Sequence, residues 1–142
     1  MLRTGRFPLS LHALVEYAAS VAFIVAPFVL GFDDGTATAV SIVIGVLVLG
    51  IAASTDWPAA LMRVIPLPFH LALDFALAGM LVASPFIFGF SDETAPTAFF
   101  IVLGVVHLLL TLGTRFLPDE EQAAEPVAPH EDDLAAAPPP PG

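Results

Sequence analysis

The side chains of this chain that could do chemistry are three histidines and two carboxylates placed inside long apolar runs. His12 and Glu16 are four residues apart, and His70 and Asp74 repeat that spacing. Residues at i and i+4 lie on one face of a helix, so each pair presents a histidine beside a carboxylate. His107 is the fifth ionisable residue of these runs. Imidazole and carboxylate groups bind zinc, manganese or iron, and they also relay protons.

The runs that carry these residues have the length and composition of membrane-spanning helices. Hydrophobic residues make up 57% of the chain and charged residues 13%, whereas about 25% charged is usual in a soluble domain. We predict an all-α, four-helix transmembrane bundle within residues 1–117. The predicted helices lie at about 8–30, 38–54, 66–88 and 96–113.

The membrane domain is an internal repeat. Residues 8–34 align without a gap with residues 66–92, and the two histidine–carboxylate pairs coincide in that alignment. The second halves of the repeats align after one inserted residue, so we predict two tandem helical hairpins, repeat one at 8–58 and repeat two at 66–117. Because each unit has two helices, both copies enter the membrane in the same direction. We expect a pseudo-twofold axis along the membrane normal.

The five ionisable side chains lie at similar depths in the predicted membrane. At 1.5 Å per residue, the histidines of the two pairs lie roughly 6 Å, and their carboxylates roughly 12 Å, from the start of their helices. The fourth helix runs back to the same side, which puts His107 also roughly 12 Å deep. The sequence therefore predicts one polar cluster in the cytoplasmic half of the bundle.

Three interpretations of this cluster remain open from the sequence. The side chains pair with one another and fix the register of the helices, or they relay protons from the cytoplasm. In the third interpretation, a divalent metal binds to His12, Glu16, His70 and Asp74, with His107 as a further ligand. No cofactor is predicted, and a divalent metal is the one alternative left open.

Other kinds of chemistry have no support in the sequence. The absence of cysteine excludes disulfides, cysteine-ligated zinc and iron–sulfur clusters. The chain has no basic patch, so nucleic acid binding is not expected. It also has no nucleophile elbow, phosphate-binding loop or dinucleotide fingerprint. No catalytic residue is predicted, and a protein without enzymatic activity is favoured.

A Pro-Phe-x-x-Gly-Phe element at the ends of the first and third helices is the second repeated feature. Proline inside a helix lacks an N–H and kinks the helix, whereas glycine suits the C-terminal cap. We predict a structural kink and cap rather than a ligand site, since no polar group converges there. The residues are Pro27, Phe28, Gly31, Phe32, Pro85, Phe86, Gly89 and Phe90.

The arginines predict the orientation. With four spans, Arg3, Arg6, Arg63 and Arg115 all fall on one side, which the positive-inside rule makes cytoplasmic. Both termini are then cytoplasmic. Residues 118–142 are acidic and rich in proline and alanine, without an aromatic or basic residue, so we predict a disordered tail.

The segments Ala26–Phe32 and Ser84–Phe90 resemble the signature of the SPW-repeat family, small bacterial membrane proteins built from two-helix repeats. The resemblance covers about residues 8–115, with Phe28 and Phe86 where the family has tryptophan. It implies four helices in a bacterial inner membrane and nothing about mechanism.

Taken together, the sequence favours a membrane protein that packs or binds partners in the bilayer. A homodimer of the thin bundle and a cytoplasmic protein partner for the tail are both open. The alternative is a small membrane protein that handles protons or a metal through the His/carboxylate cluster.

Overall fold

The computed structural model describes residues 5–116. This part of the chain forms four helices and no β-strand: α1 (Leu9–Leu30), α2 (Gly35–Ser54), α3 (Leu67–Ile87) and α4 (Thr94–Gly113). Each of them is long and apolar enough to cross a membrane. The predicted all-α bundle of transmembrane helices is confirmed. Arg3 and the predicted tail lie outside the described residues.

The second helix of each repeat begins earlier than the sequence pattern indicated. The N–H of Ala37 donates to the carboxylate of Asp34 at 2.8 Å, which starts α2 at Gly35. Helix α4 starts at Thr94, so Pro96 lies in its first turn. The N–H groups of the first turn have no partner within the helix, so the missing N–H of proline costs no hydrogen bond there. Both helices therefore have 20 residues, or about 30 Å, enough to span the hydrocarbon core.

Each repeat is a tight hairpin, with α1 packed on α2 and α3 on α4. A Cβ atom at Gly45 would lie 2.8 Å from a carbonyl oxygen of α1, and one at Gly104 would lie 3.2 Å from a carbonyl oxygen of α3. Glycine at these two positions lets the backbones approach closely. Ser41 adds a hydrogen bond to the carbonyl of Phe23 at 2.6 Å. The small residues of α2 therefore serve packing within the chain.

Short backbone bridges join the two repeats at one end of the bundle. Phe7, just before α1, pairs with Thr114, just after α4, and Thr55, just after α2, pairs with Ile65. The sequence alignment makes these two bridges equivalent to each other. The start of each repeat thus lies against the end of the other, as a pseudo-twofold arrangement requires.

The opposite half of the bundle, which we call the aromatic half, has an apolar core of Phe23, Leu81, Phe90 and Phe100, all at most 2% exposed. The ring of Phe100 lies edge-on to Phe23 at a centroid distance of 5.6 Å and tilted against Phe90 at 5.2 Å. Such offset aromatic contacts are favourable. They close this half of the bundle with apolar side chains.

The two Pro-Phe-x-x-Gly-Phe elements lie at the ends of α1 and α3. Pro27 and Pro85 are inside their helices and buried. Gly31 follows α1 with a φ of 65°, and Gly89 lies just after α3 with a φ of 78°. That left-handed conformation suits glycine, which has no Cβ to clash.

The phenylalanines of these elements differ in their surroundings. Phe28 is 73% exposed and Phe86 is 65% exposed, on the outer surface of the helices where lipid lies. Phe32 is half-buried, whereas Phe90 joins the core.

Candidate metal centre

The histidine–carboxylate pairs of α1 and α3 face each other in the half of the bundle opposite the aromatic core, which we call the cluster half. The Nε2 atom of His12 lies 3.4 Å from Oε1 of Glu16 and 3.3 Å from Oδ2 of Asp74. The Nε2 atom of His70 lies 3.3 Å from Oε1 of Glu16 and 3.3 Å from Oδ1 of Asp74. Nitrogen and oxygen donors thus alternate around a ring to which each repeat contributes two side chains.

All four side chains are removed from solvent. His12 and His70 are 0% exposed, and Glu16 and Asp74 are each 2% exposed. One suitable atom from each residue can be chosen so that all four atoms lie within 4.8 Å of one another. The cluster is therefore compact and buried inside the bundle.

Two threonines hold the histidines in position. His12 Nδ1 lies 2.9 Å from Oγ1 of Thr114, and His70 Nδ1 lies 2.9 Å from Oγ1 of Thr55. Each threonine hydroxyl donates its single hydrogen to the carbonyl four residues earlier, at 2.7 Å in both cases. The hydroxyl oxygen must therefore accept from the imidazole, so each histidine is an Nδ1–H donor. This leaves Nε2 directed at the carboxylates.

These threonine bonds cross between the repeats. The histidine of repeat one is held by the threonine after α4, and the histidine of repeat two by the threonine after α2. A partner that binds the second ring nitrogen is the usual way proteins orient a histidine that ligates a metal. The bonds also connect each histidine to the bridges that join the repeats.

Aromatic rings cover the histidines at the end of the bundle. Trp57 lies 4.6 Å from the His70 ring between centroids, and Phe116 lies 5.2 Å from the His12 ring. They occupy equivalent positions of the two repeats, and they are 2% and 5% exposed. The Trp57 indole N–H donates to the carbonyl of Ala52 at 2.9 Å, which fixes that ring. Both rings shield the cluster from the adjacent aqueous side.

His107 on α4 is the fifth member of the cluster. Its Nε2 atom lies 3.6 Å from Oδ1 of Asp74, and its ring lies 6.2 Å from that of His12. It is 9% exposed, more than the other four. The equivalent residue of repeat one is Val48, so His107 is where the pseudo-symmetry of the cluster breaks.

Several polar atoms of the cluster lack a hydrogen-bond partner within residues 5–116. They are Nε2 of the three histidines, Oε2 of Glu16 and Oδ2 of Asp74. The histidines and carboxylates lie within ion-pair distance of one another, but their contacts do not have the geometry of hydrogen bonds. Buried polar atoms are normally paired, and those that are not need an explanation.

The donor set has the residue types and the spacing between neighbouring donors of a divalent metal site. Two ligand atoms that each lie about 2.0–2.2 Å from a tetrahedral ion are about 3.3–3.6 Å apart. The four nitrogen–oxygen separations around the ring are 3.3–3.4 Å, but they use both oxygens of Asp74. Donor atoms taken one from each residue lie within 4.8 Å of one another, so the side chains must move closer to hold a tetrahedral ion. Two histidines with two carboxylates are ligands that zinc, iron and manganese accept. The arrangement can therefore hold a metal.

The sequence indicated the five ionisable residues but not the residues that orient and shield them. Thr55 and Thr114 align in the repeat, and so do Trp57 and Phe116. A search for polar and aromatic residues repeated at matching positions would have identified both sets. Trp57 itself lies buried against His70.

Comparison with known proteins places the chain in a family. Searches of curated proteins and of solved structures found no match. The model of the family described as the SPW repeat domain matches residues 10–114, which include both hairpins and the whole cluster. The chain is a membrane protein of the SPW repeat domain family.

Proposed function

We propose that this protein binds a divalent transition-metal ion within the membrane through His12, Glu16, His70 and Asp74. The observation that carries the proposal is the ring of buried donors, 3.3–3.4 Å apart, with each histidine oriented through its other nitrogen by a threonine. The sequence favoured a packing or interaction protein. The geometry of this site supports the metal alternative better.

Charge balance is the first argument for a metal. Two carboxylates in an apolar bundle are costly unless positive charge lies beside them. A divalent ion bound by two carboxylates and two neutral imidazoles gives a centre with no net charge. With Nδ1 already donating to threonine, the Nε2 lone pair of each neutral histidine is available to such an ion.

The distances are the second argument. If both histidines were imidazolium ions, their Nε2–H groups would donate to the carboxylates, and such bonds are about 2.7–2.9 Å long. The separations of His12 and His70 from the carboxylates are 3.3–3.4 Å, so direct hydrogen bonding accounts for them less well. A cation among the donors accounts for the wider spacing.

A proton relay across the membrane is less well supported. Beyond Glu16, Asp74 and His107, the helices carry no acid or base side chain along the rest of their described length. The aromatic half is filled by Phe23, Leu81, Phe90 and Phe100 instead. A relay that enters at the cluster would have no ionisable group on which to continue.

The proposal includes the location of the site. We place the protein in a bacterial inner membrane with the cluster half towards the cytoplasm, because Arg6, Arg63 and Arg115 belong to that end and positive residues favour the cytoplasmic side. The carbonyl of Gly5 accepts from Arg115 Nε at 3.3 Å, which supports their common location. A homodimer and a cytoplasmic partner for residues 118–142 are compatible with this arrangement.

Elemental mass spectrometry of the full chain tests the metal. The protein is purified in detergent with a histidine-free tag and offered zinc, iron or manganese. We expect about one ion per chain for the unmodified protein, and none for His12→Ala/His70→Ala. His130→Ala, which removes a histidine of the tail, should leave the metal content unchanged.

A second variant distinguishes loss of the metal ligands from loss of the fold. Glu16→Gln/Asp74→Asn keeps the side-chain volumes and removes the two negative charges, and it should also lose the metal while retaining its helical circular dichroism. The absence of stoichiometric metal from the unmodified protein, after exposure to all three ions, would exclude the proposed function.

A further inference from the structure

An apolar cavity of about 250 Å³ lies between the two repeats along the seam of α1 and α4. Alanines of α1 form one wall, and Leu103 and Val106 of α4 form the other. Leu77 and Leu81 of α3 close its back, and its inner end reaches Glu16 and His107. The cavity therefore joins a lipid-like space to two members of the polar cluster.

The cavity exists because the two repeats differ at two positions of their first helices. Ala19 and Ala22 line it, and their equivalents in repeat two are Leu77 and Met80. The corresponding space along the α2–α3 seam, which reaches Asp74, is about 10 Å³. The smaller side chains of α1 thus leave a cavity on one side of the pseudo-twofold axis. On the other side of the axis, the larger side chains of α3 fill the equivalent space.

Access to the cavity is from the bilayer rather than from water. Ala18 and Val106 at its edge are exposed on the outer surface of the bundle, Val106 by 48%. Ala18 lies nine residues into the 22-residue helix α1, or roughly 14 Å from its start, which is near the middle of a hydrocarbon core about 30 Å thick. A molecule that enters here must be dissolved in lipid.

The inner end of the cavity is lined by two ionisable residues, Glu16 and His107. Glu16 presents Oε1 to His12 and His70. Each oxygen of a carboxylate has two lone pairs and can accept more than one hydrogen bond. Glu16 can therefore accept a hydrogen bond from a ligand in the cavity while the carboxylate stays in the cluster.

We propose that this cavity binds the ring of a lipid-soluble phenol or quinol, with the ring hydroxyl bonded to Glu16 beside His107. A cavity of about 150 Å³ holds benzene, so 250 Å³ accommodates a ring with small substituents, while a longer tail extends into the lipid. A carboxylate accepts and cannot donate, so it selects a hydroxyl over a carbonyl. An acyl chain would place no polar group beside Glu16 and His107.

This second site goes beyond the proposed metal centre and does not depend on it. The cavity volume, the apolar walls and the Glu16 carboxylate at the inner end are present with or without a bound metal. The metal content and the binding of the phenol can therefore be measured separately on the same samples.

Photolabelling of the purified full chain tests the proposal. The probe is an alkylphenol with a diazirine on its alkyl chain, and the matched probe lacks the hydroxyl. A hydrogen bond to a charged group contributes about 1.5–3 kcal/mol, so we expect the phenol to label the cavity segments of α1 and α4 at least about tenfold more efficiently. Excess 4-propylphenol should compete with this labelling.

Variants locate the labelled site. Ala19→Leu/Ala22→Met gives α1 the side chains of repeat two and should remove the hydroxyl-dependent labelling, with the metal content unchanged. Ala83→Leu, which enlarges one side chain in a groove on the outer side of α3 and α4, should leave the labelling unchanged.

Two results would overturn the second site. Equal labelling by the two probes would make the cavity a space for acyl chains. Labelling that persists in Ala19→Leu/Ala22→Met would place the phenol elsewhere. Hydroxyl-dependent labelling of a protein without metal would instead contradict the metal centre alone.

Discussion

The cluster half and the aromatic half of the bundle are held together by different kinds of contact. In the aromatic half, Phe23, Phe90 and Phe100 meet in edge-on and tilted contacts that need no partner of a particular polarity. In the cluster half, Thr114 holds His12 and Thr55 holds His70, each across the boundary between the repeats. The aromatic half is therefore held by close packing of rings, and the cluster half by directed hydrogen bonds.

This difference matters more in a membrane than in water. Lipid tails are as apolar as a core of phenylalanine, so burial of that core provides no hydrophobic driving force, and the helices associate through close packing and polar contacts. We therefore expect the aromatic half to contribute stability without affecting metal binding. The cluster half should control metal binding.

Phe100→Ala should give the largest change in stability. The ring is 0% exposed and contacts Phe23, Phe90 and Phe99. We expect a loss of about 3 kcal/mol in the free energy of unfolding, the lower end of the range for Phe→Ala in soluble cores, because the transfer contribution is missing in lipid. Unfolding in mixed micelles of increasing SDS content measures it.

Phe28→Ala is the matched control for that experiment. Phe28 is 73% exposed to the outer surface, so its loss should change stability by much less. The metal affinity of folded Phe100→Ala should equal that of the unmodified protein. A large loss of affinity would show that the two halves are not separate in function.

Thr114→Val should have the next largest effect, a loss of metal affinity rather than of stability. It removes the oxygen that accepts from His12 Nδ1 while keeping the side-chain volume. Loss of a partner that orients a metal-binding histidine typically costs 10–100-fold in metal affinity. Competition with a fluorescent zinc chelator measures the affinity. Thr55→Val should behave alike, because its bond to His70 is the equivalent one.

Thr111→Val provides the control on the same helix. Thr111 is 2% exposed, and its hydroxyl donates to the carbonyl of His107 at 3.0 Å, whereas within residues 5–116 no hydrogen bond joins it to a histidine ring. Its substitution should leave the metal affinity within about twofold, against 10–100-fold for the threonines that hold a histidine. Equal losses in both variants would mean that the threonines act through the helix ends rather than through the imidazoles.

The same two halves show which parts of the fold and of the candidate site can be predicted from the sequence. The apolar runs and the repeat predicted four helices in two hairpins, because length and hydrophobicity are properties of each segment alone. The depths of His12, Glu16, His70, Asp74 and His107 also follow from counting along single helices. Their common depth was enough to predict one cluster, which the structure brings together.

Features that depend on contacts between helices could not be read in this way. The bonds from Thr114 to His12 and from Thr55 to His70 join residues 102 and 15 positions apart. The cavity depends on how α1 and α4 are spaced by Ala19 and Ala22, which no single helix specifies. The span of α2 was underestimated because the Asp34 cap extends the helix into a stretch that lacks a strong apolar pattern.

The smallest predicted effect concerns the turns at the far end of the aromatic half. Glu93 accepts from the backbone N–H of Asp33 at 2.6 Å and from that of Asp34 at 3.0 Å, which joins the turn of one repeat to the turn of the other. Glu93→Gln leaves one accepting oxygen in place of two. We expect a loss of about 0.5–1 kcal/mol in the free energy of unfolding, since the bonds lie near water, which competes for them.

Asp92→Asn is the control, since its carboxylate lies exposed beside Glu93 and accepts no hydrogen bond from the described residues. It removes the same charge from the same turn, so any general effect of charge appears equally in both variants. A loss confined to Glu93→Gln in the SDS unfolding assay would assign it to the two backbone bonds. Equal losses would assign it to charge, and the hydrogen bonds that join the repeats would then contribute only at the cluster half.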